Sequence, residues 1–388
     1  MFKPVSSRLN IPAEEEEQLK FWKENQIFKK SSDERSDRKP FVMFEGPPTA
    51  NGKPGVHHVL ARAFKDMFPR YKTMQGYYVD RRGGWDTHGL PVEIEIEKQL
   101  GFNHKSQIEE FGIAEFNKLC RESAFSRIQD WEKMTDRIGY WVDLDRSYVT
   151  YKDEYIESVW ALLKNISDKG LLYQGYKVVP YCPRCGTPLS SHEVAQGYKD
   201  TEDPSIYVRF RLLDETDTSL LVWTTTPWTL PGNVAIAAHP EVEYALVEVE
   251  GEGKLILAKA LLERVLAERP YQILKTMRGT ELKGLRYEPL FSFFKLDKAA
   301  HYIVNADYVT TEDGTGLVHI APAFGLDDME VAKKYDLPLI MTINDEGRFF
   351  PKVEPWAGVF VKDADKGIMK NLKDRGLLFA SGKITHSY

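Results

Sequence analysis

At 388 residues the chain has room for about two or three domains, and 42% hydrophobic with 12% aromatic residues is ample for packed cores, which excludes a disordered tether. A net charge of −6 excludes a general polycation, so any contact with RNA has to be local. No apolar run reaches the length of a membrane span, the opening MFKPVSSRLN lacks a signal-peptide core, and the three cysteines form no disulfide framework; a reducing, cytoplasmic setting without membrane contact is expected.

In chain order, PAEEEEQLKFWKEN predicts an amphipathic helix whose acidic first turn complements the helix dipole. PFVMFEG reads as a short buried strand reaching a tight turn at Gly46, and PPTANGKPG as a loop. From Val56 a helical period puts Val56, Leu60, Ala63, Phe64 and Met67 on one face, and Pro69 is expected to end or kink that helix. YYVDRRGGWDTHGLPVE reads as a second strand entering a glycine-rich loop. Strand, loop and helix in that order suggest an α/β fold with a parallel sheet and a ligand beyond the strand ends. From about Glu109 to Lys169 the pattern is mostly helical, with Trp131, Trp141 and Trp160 as expected core anchors. YCPRCG then forms a knuckle. From Tyr207 to about Phe360 the text turns strand-like (SIYVRFRLL, SLLVWTTT, YALVEVE, KLILA, HYIVNADYV), which predicts an inserted β-rich domain. The closing segment reads as a helix and a short strand.

The loop before the first long helix carries the first chemical signal. His57 and His58 stand in the opening turn of a helix, where free N–H groups and the positive helix end attract phosphate. Alone, two adjacent histidines more often decorate a surface helix. Gly46, Pro47, Pro48, Asn51, Gly52 and Gly55 crowd the same loop, a heavy backbone constraint for decoration.

GPPTANGKPGVHH followed by GWDTHGLPVE resembles the ATP-binding signature and amino-acid pocket of class I aminoacyl-tRNA synthetases, the isoleucyl enzymes in particular, and the likeness runs through nearly the whole chain. It implies an α/β architecture: the first half of a Rossmann-like parallel-sheet catalytic domain, an inserted β-barrel-like editing domain and a zinc knuckle. The implied limits are 1–186 for the catalytic half with its knuckle, 187–384 for the editing domain, and 385–388 for the return to a truncated catalytic domain. The implied activity is isoleucine–tRNA ligation: ATP-dependent activation of L-isoleucine with Mg²⁺, transfer to tRNA(Ile), and hydrolytic editing of misactivated or mischarged L-valine, in a monomer. Asp86 would hold the amino acid's ammonium, Gly46 and Pro47 would line its side-chain pocket, and Pro48, Asn51, Gly52 and Gly55 would form the ATP loop. His57 and His58 would meet the ATP phosphates. One departure stands out: the family's usual His-x-Gly-His is here Gly55-Val56-His57-His58, with the first histidine and the glycine exchanged.

VWTTTPWTLPGN and GTGLVHIAPAFGLDD resemble the two walls of the family's editing site. Thr224, Thr225 and Thr226 would sit near the ester to be cut, with Asn233 on the same wall. His319 would limit the room for the side chain, and Asp328, with Asp327 as its competitor, would hold the free ammonium. Pro227 and Pro231 would stiffen the corner. The threonines alone read as a β-hairpin with satisfied hydroxyls; paired with the second motif they read as a site.

Cys182 and Cys185 have metal-knuckle spacing, but a closed zinc site needs four ligands. Cys120 lies in a helical segment and reads as core, while His192 is spaced like a surface helix start. Only half a Zn²⁺ site is expected, along with an N-terminal fragment that does not charge tRNA alone, since no lysine-serine ATP loop occurs in it. The competing readings are an aminoacyl-tRNA deacylase acting in trans, which has no use for an ATP loop, and a non-catalytic RNA-binding module, which has none for paired editing motifs.

Overall fold

The computed structural model describes residues 8–215 and 217–387, without the side chains of His192 and Gln196. The chain divides into two units, the first ending at Gln174 and the second starting at Gly175. This places the knuckle segment with the second unit and not with the first, as the expected limit at 186 had it.

The first unit is helical around a parallel pair of strands, Arg82–Trp85 and Asp143–Val149. The predicted N-terminal helix is present as Ile11–Glu24, with Asn10 accepting from the Ala13 N–H at its start. Strand Asp143–Val149 interrupts a region expected to be helical. Its charged residues hide it: Asp143 and Arg146 pair along its exposed edge, and Arg146 also reaches Asp80. Strand contact is close at Gly84, where a Cβ would stand 2.3 Å from the Tyr148 ring. Segment 40–46, expected as a buried strand, makes a single parallel bridge, Pro40 with Tyr78, and Phe44 is 89% exposed. Its alternation of apolar residues lacks a second neighbouring strand among the described residues.

Helix Val56–Met74 does not end at Pro69 but continues past it, with the proline buried. Its apolar stripe faces outward, with Val56, Leu60, Phe64 and Met67 all exposed. The buried face is polar instead: Arg62, Asp66, Pro69 and Thr73. Arg62 donates to Thr135 Oγ1 at 2.8 Å and lies over Trp131, while Asp66 accepts from Arg70 at 2.6 Å and from Arg81 at 3.2 Å. Arg62, Asp66 and Thr73 each have hydrogen-bond partners, so polar pairing outweighs the hydrophobic period on this face. Of the three tryptophans, Trp131 is buried and Trp141 packs between Trp22 and Phe28. Trp160 is 68% exposed and anchors nothing.

The second unit holds the β-rich region as expected. Six strands order as Tyr271–Arg278, Glu243–Val249, Gly253–Ala258, Thr218–Thr224, Asp200–Arg211 and Leu378–Ser387. A second sheet orders Tyr302–Asn305, Ala235–Ala238 and Leu317–Ile320. A continuous core of fully buried residues, among them Phe210, Leu220, Tyr244, Leu257 and Phe349, fills this unit. The last strand pairs antiparallel with Asp200–Arg211 as far as Ser387 opposite Asp200, so residues 385–387 continue this sheet instead of leaving it. No helix among the described residues is long and apolar enough to cross a membrane.

Candidate functional site

In the first unit, the loop from Gly46 to Gly55 is fixed by its own carbonyls. Pro48 O accepts from the Asp86 N–H at 3.0 Å, Ala50 O from Arg127 N–H at 2.9 Å, and Gly52 O from the Trp131 indole at 2.8 Å. Asn51 donates to Pro91 O at 2.8 Å, which ties the loop to the start of helix Leu90–Leu100. Pro48 and Asn51 thereby bring this loop beside Asp86, whose Oδ1 accepts from the His88 N–H at 3.2 Å.

The exchanged signature has a steric basis. Gly55 caps the helix, and its N–H donates to His58 Nδ1 at 2.8 Å, leaving the His58 proton on Nε2. The His57 imidazole folds back so that a Cβ at position 55 would stand 2.9 Å from its Cε1. In this rotamer the His57 ring leaves no room for a side chain at 55, so any residue but glycine there would make the ring turn away. Burial, His57 and Arg62 all lower the His58 pKa, so it offers a neutral N–H donor. Gly46, Pro48, Gly52 and His58 line one cavity of about 320 Å³; Pro47, Asn51, Gly55, His57 and Asp86 lie outside its wall.

Sequence reading missed the charged lining of that cavity. Glu45 Oε1 binds Lys65 at 2.8 Å, Glu45 Oε2 accepts from Tyr140 at 2.6 Å, and Lys65 also donates to Gly46 O. A lone glutamate closing an apolar run (VMFEG) was the available signal.

In the second unit, strand Thr218–Thr224 leads into a 3₁₀ turn, Pro227–Gly232, and then strand Ala235–Ala238. Strand Leu317–Ile320 pairs beside it, with His319 opposite Ile236. Thr224, Thr225, Thr226, His319 and Asp328 line one cavity of about 370 Å³. Thr229, Phe324 and Tyr308 line it too and had been overlooked. Asn233 does not. Its Oδ1 accepts from the buried Tyr287 hydroxyl at 2.8 Å and its Nδ2 donates to Ala235 O at 2.9 Å, so both ends of the amide serve the core.

The hydroxyls form a chain: Thr224 to Thr226 at 3.3 Å, Thr226 to Thr229 at 3.2 Å, and Thr229 to His319 Nε2 at 3.1 Å. Thr229 spends its own proton on Thr226 O at 2.8 Å, so its oxygen accepts from its neighbours. The His319 proton therefore sits on Nε2, and its buried Nδ1 has no partner among the described residues. Burial lowers the His319 pKa to about 4, so the ring is neutral. Thr225 stays outside this chain, its hydroxyl without a protein partner among the described residues.

Asp328 lies in the first turn of helix Leu326–Tyr335 and accepts from the Ala321 N–H at 2.9 Å. Its carboxylate folds over Gly325, where a Cβ would approach its Cγ to 2.7 Å. Burial raises its pKa to about 6. Its rival Asp327 is exposed and does not line the cavity.

At the knuckle, the Cys185 N–H donates to Cys182 Sγ at 3.4 Å. Among the described residues no third histidine, cysteine or carboxylate joins the two sulfurs, and the His192 side chain lies outside them. Two ligands do not make a closed tetrahedral zinc site. Cys120 packs with the Ile96–Ile108–Phe116 core, and burial raises its pKa to about 11.

Relatives named isoleucine–tRNA ligase from Clostridium acetobutylicum and Thermus thermophilus are 53% and 54% identical over 388 and 393 residues. They match along 100% of this chain, which spans 37% of their length. The crystal structure of the P. knowlesi cytosolic leucyl-tRNA synthetase editing domain covers 46% of this chain and 95% of its own, at a TM-score of 0.38 and 13% identity, too remote to carry weight. A family model described as tRNA synthetases class I (I, L, M and V) matches residues 17–373, and the chain belongs to that family, the class I tRNA synthetases.

Proposed function

We propose that this chain is part of an isoleucine–tRNA ligase, that its first unit contributes to ATP-dependent activation of L-isoleucine, and that its second unit is a barrel-like editing domain that hydrolyses valine misattached to tRNA(Ile). The observation that carries the reading is the second cavity, where a hydroxyl wall, a neutral histidine and a half-buried carboxylate line one space.

In activation, the amino acid's carboxylate attacks the α-phosphorus of ATP, and pyrophosphate leaves with its Mg²⁺. The protein positions the reactants and offsets charge. His58 Nε2–H is a donor suited to phosphate oxygens, His57 stands beside it, and the N–H groups opening helix Val56–Met74 add to it. Gly46, Pro47 and Asp86 form the amino-acid side of the site, held to the ATP loop through Pro48 and Asn51. Cys182 and Cys185 would supply two thiolates to a structural zinc ion. The protein acts in the cytoplasm, as a monomer.

A cavity for isoleucine rejects valine poorly; the isoleucyl enzymes are themselves the standard worked example of this limit, at about 150-fold. A second, narrower cavity supplies the rest. In it Asp328 holds the ammonium and His319 closes the far wall to the extra methylene. The Thr225 hydroxyl orients the attacking water. Water oxygen bonds to the ester carbon, the ester C–O bond breaks, and the water's proton ends on the ribose oxygen. His319 is too weak a base to take that proton, so it acts by shape.

The test is to offer the chain tRNA(Ile) charged with valine or with isoleucine and follow release of free amino acid. Valine should be freed about tenfold faster or more. Equal rates, or no release, overturn the editing reading. In the longer enzyme, Asp86→Ala should abolish isoleucine-dependent pyrophosphate exchange; normal exchange would remove Asp86 from the pocket.

A further inference from the structure

Besides the Thr229–His319 side-chain contact, the threonine-bearing turn has one backbone tether to another element among the described residues. In Pro227–Gly232 two prolines lack N–H groups, and the Thr229 N–H bonds within the turn, to Thr226 O at 3.0 Å. The Trp228 N–H sits in the first turn, where no internal carbonyl can accept it. It donates instead to Asp365 Oδ1 at 3.0 Å, from helix Val361–Asp374. Asp365 is 6% exposed, so this is a buried, charge-assisted bond.

Trp228 and the residue after it both bear on the cavity wall. The Trp228 ring packs edge-on against Phe324, 5.0 Å between centroids, and Phe324 lines the cavity. Thr229 carries the hydroxyl that accepts from His319. The turn's far end is fixed by packing: a Cβ at Gly232 would stand 3.2 Å from Phe324. Its near end is held by Asp365.

We propose that Asp365 is a positioning residue that sets the width of the editing cavity by holding the Pro227–Trp228 peptide, and Thr229 next to it, in place, so that its loss degrades the choice between valine and isoleucine more than it slows hydrolysis. The inference rests on the hydrolytic reading of the cavity. A discrimination of one methylene is sensitive to small displacements of its walls, because the packed side chains around it leave no slack to absorb them.

The test compares release of valine and isoleucine from tRNA(Ile) by the chain carrying Asp365→Ala, Asp365→Leu or Asp365→Asn. Asn Oδ1 still accepts from the Trp228 N–H, so Asp365→Asn should keep the valine-to-isoleucine rate ratio within about twofold of wild type. Asp365→Ala should lower the ratio about tenfold. Should that variant fail to fold, Asp365→Leu fills the space without an acceptor and should show the same loss. An unchanged ratio in a folded Asp365→Leu protein overturns the inference while leaving the editing reading intact, and so does an equal loss in Asp365→Asn. A wild-type chain that hydrolyses neither ester overturns the editing reading, and this inference with it.

Discussion

Thr229 Oγ1 lies 3.1 Å from His319 Nε2, and the proton between them belongs to the histidine. The assignment follows because Thr229 has already given its hydrogen to Thr226 O. Thr229→Val keeps the shape and strands that buried N–H. Stability should fall by about 1–3 kcal/mol, read as a lower urea midpoint at unchanged slope. An unchanged midpoint would show that the Thr229–His319 hydrogen bond contributes nothing to stability.

Thr225 is the wall hydroxyl left uncommitted by the protein. Thr225→Val should slow valine release about tenfold to a hundredfold with little change in melting temperature, and Thr225→Ser should restore most of it. If Thr225→Val is as active as wild type, another group orients the water.

Asp328 must be ionised to hold an ammonium. With its pKa raised to about 6 by burial, kcat/KM for valine release should fall about tenfold per pH unit below 6 and flatten above it. Asp365 also titrates near 6, again through burial, so the profile is best repeated in Asp365→Asn. There the acid limb should persist; its disappearance would assign it to Asp365.

His319 makes stability depend on pH. Its folded pKa is about 4 and its ordinary value 6.5, so below 6.5 the unfolded chain takes up a proton that the folded chain refuses. Stability from this residue is complete above 6.5 and lost as pH falls toward 4. Asp328 and Asp365, with raised pKa values, work in the opposite direction through the same window. The measurement is therefore a difference: between pH 7 and 4.5 wild type should lose about 2–3 kcal/mol more than His319→Gln. Parallel curves would mean that the ring is protonated in the folded state.

Gly84 faces the Tyr148 ring across the parallel strand pair. Gly84→Ala should destabilise the first unit by about 1–3 kcal/mol, because the ring is held by its own bond to Glu45 O at 2.8 Å and cannot simply swing away. Tyr148→Ala in the same background should recover part of the loss.

What was legible in the sequence depended on whether a residue's role was local. The helix from Val56, the loop before it and the strands of the β-rich region follow from period and turn residues. Two motifs taken together point to Thr225, Thr226, His319 and Asp328, and these residues line one cavity. Strand Asp143–Val149 escaped notice because its charges pair with each other, and Trp160 was misjudged because size does not indicate direction. Asn233 sits inside the threonine motif, yet its amide is spent on Tyr287 and Ala235, partners that no local pattern reveals. Thr229, Asp365 and Glu45 are bonded to residues tens of positions away, contacts that only three-dimensional packing discloses.

The two units are unequally filled. Buried apolar side chains in the first collect in two small clusters, Ala50–Trp85–Trp131–Val149 and Ile96–Ile108–Phe116, whereas the second has a broad core and a further cluster around Val304 and Ile320. Heat or a protease should therefore act on them one after the other: the helical part loosens and is clipped first, and the sheet-rich part survives as a resistant piece that melts in a later, sharper transition.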